Sequence, residues 1–165
     1  MKLLPSKNVH FQRPKASTAD DETHACLITS SHTIGDFILR VELKTIQQLR
    51  TPTANPWETA WVMWHYTDNT HFYYFTLKTN GWELGKGDPA YQGAQRFLSS
   101  GSTPTVTLGA FDEVSIIHKG MTIEVAVNGD QLVTFTDTER PYMTGKVGLY
   151  NEDSYVRFDN VYMTY

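Results

Sequence analysis

Hydrophobic residues recur at every second position along most of the chain, and that period belongs to β-strands. It is clearest over 37–44, where Phe37, Leu39, Val41 and Leu43 fall on one side and Ile38, Arg40, Glu42 and Lys44 on the other. A strand with this pattern buries one face and leaves the other near water. Similar runs predict strands over 57–66, 71–78 and 82–86 and a short one near 95–98. A C-terminal meander follows over 113–118, 122–127, 131–136, 145–150 and 155–164. Turn residues separate these runs at Thr67-Asp68-Asn69-Thr70, Asn80-Gly81, Lys119-Gly120 and Asn128-Gly129-Asp130, and Asn-Gly is the strongest short hairpin signal. Pro52 and Pro56 mark 45–56 as a loop, and the glycines and prolines of 87–110 mark a second long loop. No stretch sustains a 3.6-residue period, so no helix longer than two turns is predicted. Residues 1–22 are polar and irregular apart from Val9-His10-Phe11. They are assigned as a segment packed on a single domain spanning 23–165.

Roughly ten to twelve strands joined by hairpin turns imply two packed antiparallel sheets or a barrel. A symmetric Asp68-Asn69 turn sets Trp64 opposite Tyr73 and Val62 opposite Phe75. A two-residue Asn80-Gly81 turn sets Leu84 opposite Leu77 and Lys78 opposite Glu83. Val62, Trp64, Tyr73, Phe75, Leu77 and Leu84 then share a core face. Trp61, Met63, His65, Phe72, Tyr74, Thr76, Lys78 and Glu83 share the other. That second face mixes rings with a charge pair and a histidine, and contiguous exposed rings point to a binding surface. The alternative is that the rings pack beneath the 87–110 loop while the charges pair among themselves.

Composition narrows the partners. The chain has 165 residues, 19% charged and 13% aromatic, with a formal net charge of −4 and a pI near 5.8. One domain with a sizeable core fits that length. No basic run is present, which argues against a nucleic-acid partner. No apolar stretch approaches the roughly 18 residues of a membrane span. Met1-Lys2-Leu3-Leu4-Pro5 has no apolar region behind it and does not read as a signal peptide, so the chain is expected to be cytoplasmic as written or a module excised from an exported protein. The single cysteine, Cys26, cannot form an internal disulfide and is expected to be a small buried hydrophobe.

Several segments carry a family resemblance. Ile34-Gly35-Asp36-Phe37 continuing to Lys44 resembles the opening long strand of the concanavalin A-like lectin/glucanase superfamily. Trp64-His65-Tyr66-Thr67-Asp68 followed by Phe72-Tyr73-Tyr74-Phe75 resembles a hairpin of laminin-G-like bacterial domains. Gly120 to Gly129 resembles their G-x-x-I-x-V-x-V-N-G hairpin, and Gly145 to Tyr150 and Val156 to Val161 resemble their closing strands. The resemblance covers about residues 24 to 165. It implies an all-β, concanavalin A-like jelly-roll sandwich of two antiparallel sheets, close to laminin-G-like modules and to bacterial domains related to family 16 glycosidases and 3-keto-disaccharide hydrolases. That fold hosts lectins, glycan-binding modules, hydrolases and lyases.

The candidate site follows from the ring-bearing face. Sugars present flat C–H patches that stack on aromatic rings, and their hydroxyls need polar partners. Arg40, Glu42, Trp61, His65, Tyr74, Lys78 and Glu83 are the candidate glycan-binding residues, with Phe72 a further platform and Trp57, Trp82 and Tyr91 in second rank. A carbohydrate is the expected partner. Hydrolysis would need two carboxyls about 5–9 Å apart. Family 16 enzymes carry Glu-x-Asp-x-x-Glu on one strand, and this chain does not. Asp112-Glu113 places adjacent acids on opposite faces, Glu58 stands alone at a strand start, and Glu42 and Glu83, expected on the same face, could be a pair. The resemblance also implies a structural calcium held by Asp159 and the Gly35 carbonyl, with Asp20, Asp21 or Glu22 in support. The six histidines show no zinc-like spacing, and Asn151-Glu152-Asp153 reads as a solvated acidic turn. Three functions stay open: a glycan-binding module without chemistry, a small glycoside hydrolase or polysaccharide lyase, and a protein-interaction domain.

Overall fold

The computed structural model describes residues 9–165; the N-terminal reading at Met1–Pro5 lies outside them. Twelve strands form two six-stranded antiparallel sheets packed as a sandwich. In chain order they are β1 (His10–Gln12), β2 (Ala25–Thr29), β3 (Phe37–Gln48), β4 (Ala60–Asp68), β5 (His71–Lys78), β6 (Gly81–Gly87), β7 (Gln95–Gly101), β8 (Asp112–Lys119), β9 (Thr122–Val127), β10 (Asp130–Thr136), β11 (Lys146–Glu152) and β12 (Ser154–Thr164). One sheet has the order β1-β12-β3-β8-β9-β10 and the other β2-β11-β4-β5-β6-β7. The one helical element among the described residues is a short 3₁₀ turn at Gln92–Ala94.

The period-two pattern does what it predicts. Phe37, Leu39, Val41, Leu43, Val62, Trp64, Phe75 and Leu77 are all buried between the sheets. Trp64 pairs with Tyr73 and Val62 with Phe75. The next hairpin differs by two residues: Leu84 pairs with Phe75, Leu77 with Trp82 and Lys78 with Gly81. The two turn residues are therefore Thr79 and Asn80, and Gly81 opens the return strand at φ 138°. A slip of two preserves parity, so Leu84 still faces the core. Lys78 and Glu83 become diagonal neighbours and still meet, with Nζ 3.0 Å from Oε2.

Other differences are local. β3 runs on to Gln48, into the expected loop. The N-terminal segment contributes β1, which pairs with β12. Trp82 is a core residue rather than a surface candidate, its indole donating to the Thr103 carbonyl at 2.9 Å. Cys26 sits half-buried on edge strand β2, not in the core.

The chain changes sheets repeatedly, and one buried cation ties three of these crossings together. β1→β2, β3→β4 and β11→β12 each pass from one sheet to the other. The Arg50 guanidinium, following β3, donates to Glu58 just before β4 and to Asp153 Oδ2 at 3.0 Å in the β11–β12 turn. It also donates to the carbonyls of Ala19 and Glu22 in the β1–β2 connection, at 2.7 and 2.8 Å. Asp153 further accepts from the backbone amides of Ser17 and His24. All three charged side chains are essentially inaccessible. Glu58 is therefore no lone surface acid, and Asp153 no solvated turn.

The opposite end is tied by histidine. His65 Nδ1 lies 2.7 Å from the Tyr142 carbonyl and Nε2 3.0 Å from that of Gly35, which joins the β10–β11 and β2–β3 connections. Beside it, His118 accepts from the Trp64 indole at Nδ1 (2.9 Å) and faces the Gly120 carbonyl with Nε2. Burial and the adjacent His65 lower the His118 pKa from 6.5 to about 4.

Two outcomes follow. Arg50→Met leaves two buried carboxylates without their cation, so it should cost about 3–5 kcal/mol in urea unfolding; a loss below about 1 kcal/mol would contradict the role given to the cluster. The His118 shift is depressive, so the unfolded chain takes up a proton that the folded chain refuses between about pH 6.5 and pH 4. Its contribution is complete above pH 6.5 and is lost as pH falls through that window. The stability difference between the wild type and His118→Gln should shrink over the same window, and a pH-independent difference would contradict it.

Candidate functional site

The outer face of the β2-β11-β4-β5-β6-β7 sheet carries a groove. Its floor follows from the pleat of β4 and β5. With Val62, Trp64, Tyr73 and Phe75 facing in, Trp61, Met63 and Tyr74 face out and form a second apolar cluster. Trp61 stacks on Tyr74 with centroids 4.8 Å apart and meets Tyr150 edge-on at 5.6 Å. Gly85, opposite Tyr74 on β6, leaves room for that ring, and a Cβ there would overlap it. Trp61 is only 6% exposed and Tyr74 1%. They are the floor, and the rings that a ligand can reach lie at the rim: Trp57 is 42% exposed and Phe97 55%.

Polar groups stand on this floor. The main compartment has a volume of 440 Å³ and is lined by Trp57, Trp61, Lys78, Glu83, Gln95, Phe97 and Glu152. A smaller one of 180 Å³ extends toward Asn69, Phe72 and Gly93, and shares Trp61, Gln95 and Glu152 with the first. Glu83 accepts from the Tyr74 hydroxyl at 2.6 Å and from Lys78 at 3.0 Å. Gln95 donates to the Tyr74 oxygen at 2.9 Å. The Trp61 indole donates to the Trp57 carbonyl at 2.7 Å, which fixes the rim to the floor.

Glu152 is the residue that the sequence pattern conceals. It ends β11 two positions after Tyr150, so the pleat turns both outward, while Asp153 folds inward to Arg50. Glu152 Oε1 accepts from the Tyr150 hydroxyl at 2.7 Å. Burial raises its pKa above the usual 4.5, and the charges of Glu58 and Asp153 push it further the same way against the Tyr150 hydrogen bond. Burial, with the neighbouring Glu152 and its hydrogen bond, likewise pushes the Tyr150 hydroxyl up. An acidic tripeptide in a turn carries no periodic signal, and only the chain's change of sheet after Glu152 separates the two carboxyls.

The predicted site residues divide. Trp61, Tyr74, Lys78, Glu83 and Phe72 come together on this face, and Trp57 joins them at the rim. Arg40 and Glu42 do not. β3 belongs to the other sheet, so their outward parity points them away from the groove, on the far side of the sandwich. There Arg40 borders a separate depression of 410 Å³ with Ile38, Glu113, Asn160 and Tyr162, and Glu42 accepts from Asn160. His65 is also absent from the groove. A bulge after Trp64 interrupts the β4 ladder, His65 takes φ 46°, and its ring turns into the core end, 4.5 Å from His118. Tyr91 hydrogen-bonds Glu139 and lies under Arg96 and Arg140.

Gly35 and Asp159 are likewise apart. Asp159 pairs across from Glu42, seven residues along from Gly35, or roughly 20 Å of extended chain. Asp159 instead accepts from Arg157 Nη2 at 2.6 Å, and the Gly35 carbonyl faces His65. The two do not share one ion, and among the described residues no group of three or more His, Cys, Asp or Glu side chains gathers in a way that could hold a metal. Among the same residues no helix is long and apolar enough to cross a membrane.

With the geometry in place, comparison identifies relatives. No curated protein sequence matches the chain. Among solved structures, a carbohydrate binding module, CBM66 from Bacillus subtilis, superposes with a TM-score of 0.68 at 14% identity, covering 93% of this chain and 92% of that one. A putative glycosyl hydrolase from Parabacteroides distasonis gives 0.61 at 14% identity and 99% of both chains. Sheep galectin-11, in complex with glycerol, gives 0.59 at 12% identity, with 84% and 96% coverage. These likenesses establish the jelly-roll sandwich. The model of the 3-keto-alpha-glucoside-1,2-lyase-like domain matches residues 8–164, and the chain belongs to that family.

Proposed function

We propose that this protein binds carbohydrate in the groove on the outer face of the β2-β11-β4-β5-β6-β7 sheet. The observation that carries the proposal is the pairing of exposed rings with fixed polar groups. Trp57 and Phe97 stand exposed at the rim, above a floor of Trp61 and Tyr74. Between them Lys78, Glu83, Gln95 and Glu152 present donors and acceptors in one compartment. A wholly apolar ligand would leave these groups desolvated and unmatched, at a cost. A polyhydroxylated ring satisfies both, stacking its C–H face and hydrogen-bonding its edge. The structural likeness to a carbohydrate binding module and to a galectin supports the same reading, as does the family's description.

A second reading rests on one feature. Glu83 and Glu152 line the same compartment, and a carboxyl pair across a sugar site is the equipment of a glycoside hydrolase. Release of reducing ends or of unsaturated sugars from a polysaccharide panel would favour a hydrolase or a lyase. A purely binding module releases neither.

Trp57 is the better test residue, because its exposed ring can be truncated with little effect on the core. Loss of a stacking platform is worth about 1 kcal/mol, so Trp57→Ala should weaken glycan binding about five-fold. Trp61→Ala should weaken it at least as much, because the floor goes with it. Arg40→Ala, on the other sheet, should leave affinity unchanged. Calorimetry with a neutral oligosaccharide panel checks all three. Unchanged affinity in Trp57→Ala and Trp61→Ala, with both folded, would place the site elsewhere.

A further inference from the structure

Both compartments of the groove have Glu152 in their wall. A ligand long enough to lie across them must pass this carboxyl. One of its oxygens accepts from the Tyr150 hydroxyl, and the Trp57 side chain lies close enough to bond the carboxyl as well, so a ligand meets the carboxyl beside that indole. The groups packed around the carboxyl are Trp57 at the rim, Tyr150 on its own strand, and Glu58 and Asp153 behind, both of them paired with Arg50. Across the compartment stand Glu83 and Lys78.

The cations decide which ligands this wall accepts. Among the described residues lining the two compartments there are two, Lys78 and Lys86. Lys78 Nζ is committed to Glu83 at 3.0 Å. Lys86 is inaccessible, with Nζ bound to Asp137 at 2.8 Å. With Glu83 already balanced by Lys78, an acidic sugar would face an ionised Glu152 with no uncommitted cation to offset it, and like charges close together in a partly dry site are costly.

We propose that Glu152 sets the specificity of the groove: in its protonated form it donates a hydrogen bond to an acceptor oxygen of a neutral sugar lying across both compartments, and in its ionised form it repels acidic sugars. The inference rests on the carbohydrate reading above. Its burial and the carboxylates of Glu58 and Asp153 favour the protonated form that such a donor needs. Ionisation of Glu152 replaces the donor with a second negative charge, so affinity for a neutral sugar falls as pH rises through its titration.

Binding of galacto-, gluco-, manno- and fructo-tetraoses, and of tetragalacturonate as the acidic counterpart of the first, tests this by calorimetry from about pH 5 to about pH 8. At least one neutral tetraose should bind, and its affinity should be about ten-fold lower once Glu152 is ionised, the equivalent of one hydrogen bond. The shortfall of tetragalacturonate relative to galactotetraose should widen as pH rises and Glu152 ionises. Glu152→Gln keeps a donor and cannot ionise, so its affinity should be flat with pH and its discrimination against tetragalacturonate reduced. Tyr150→Phe removes a hydrogen bond that favours the ionised form, and should move the fall in affinity to higher pH. A difference between acidic and neutral tetraoses that does not change with pH, or an unchanged pH profile in both variants, overturns the role of Glu152 while the groove stands. No binding of any neutral tetraose by the wild type overturns the carbohydrate reading, and this inference with it.

Discussion

The buried Arg50 guanidinium is the constraint on which both the sandwich and its groove depend. A sandwich whose chain alternates between sheets must hold its crossings together at the ends, where no ladder continues. Arg50 does this for three crossings at once, through Glu58, Asp153 and two backbone carbonyls. A buried ion cluster need not stabilise more than apolar packing would. What it supplies here is geometry. Trp57 precedes Glu58 and Glu152 precedes Asp153, so the exposed ring and the acidic wall of the groove are the immediate neighbours of the two anchored carboxylates. The same interaction that closes the fold sets the two sides of the site.

The pleat does the rest. On β4 and β5 successive aromatic residues alternate sides, which gives one sheet two aromatic layers. Trp64 stacks on Tyr73 in the core at 5.8 Å, and Trp61 stacks on Tyr74 outside at 4.8 Å. The outer layer would be an unexplained apolar patch on the outside of the sheet if it lacked polar company. Lys78, Glu83, Gln95 and Glu152 supply that company, and each is held by a neighbour or buried in the wall.

The parity of the strands was legible in the sequence, and so was the core that parity builds. Parity alone places Trp61, Tyr74, Lys78 and Glu83 on one outward face. A two-residue slip at Thr79-Asn80 changed their partners and left their face intact. Parity is silent on which sheet a strand joins, and that misplaced Arg40 and Glu42: both point outward, but from β3 in the opposite sheet. It also fails at a bulge. His65 has the parity of Trp61 and Met63, yet its backbone leaves the strand at φ 46° and the ring turns inward. Glu58, Glu152 and Asp153 were hidden for another reason. Whether an acid is solvated, buried with a cation or set in a groove wall depends on how the chain folds around it, as with Asp153 and Arg50, 103 residues apart, and no local pattern reports that.

The four tryptophans occupy two environments: Trp57 and Trp61 in the groove, Trp64 and Trp82 in the core. Their indole N–H resonances can be followed separately by NMR during titration with a neutral tetraose that binds. Binding in the groove should shift the Trp57 and Trp61 signals while those of Trp64 and Trp82 stay in place. Saturable binding that leaves Trp57 and Trp61 unmoved, and instead shifts resonances around Arg40 and Tyr162, would contradict it.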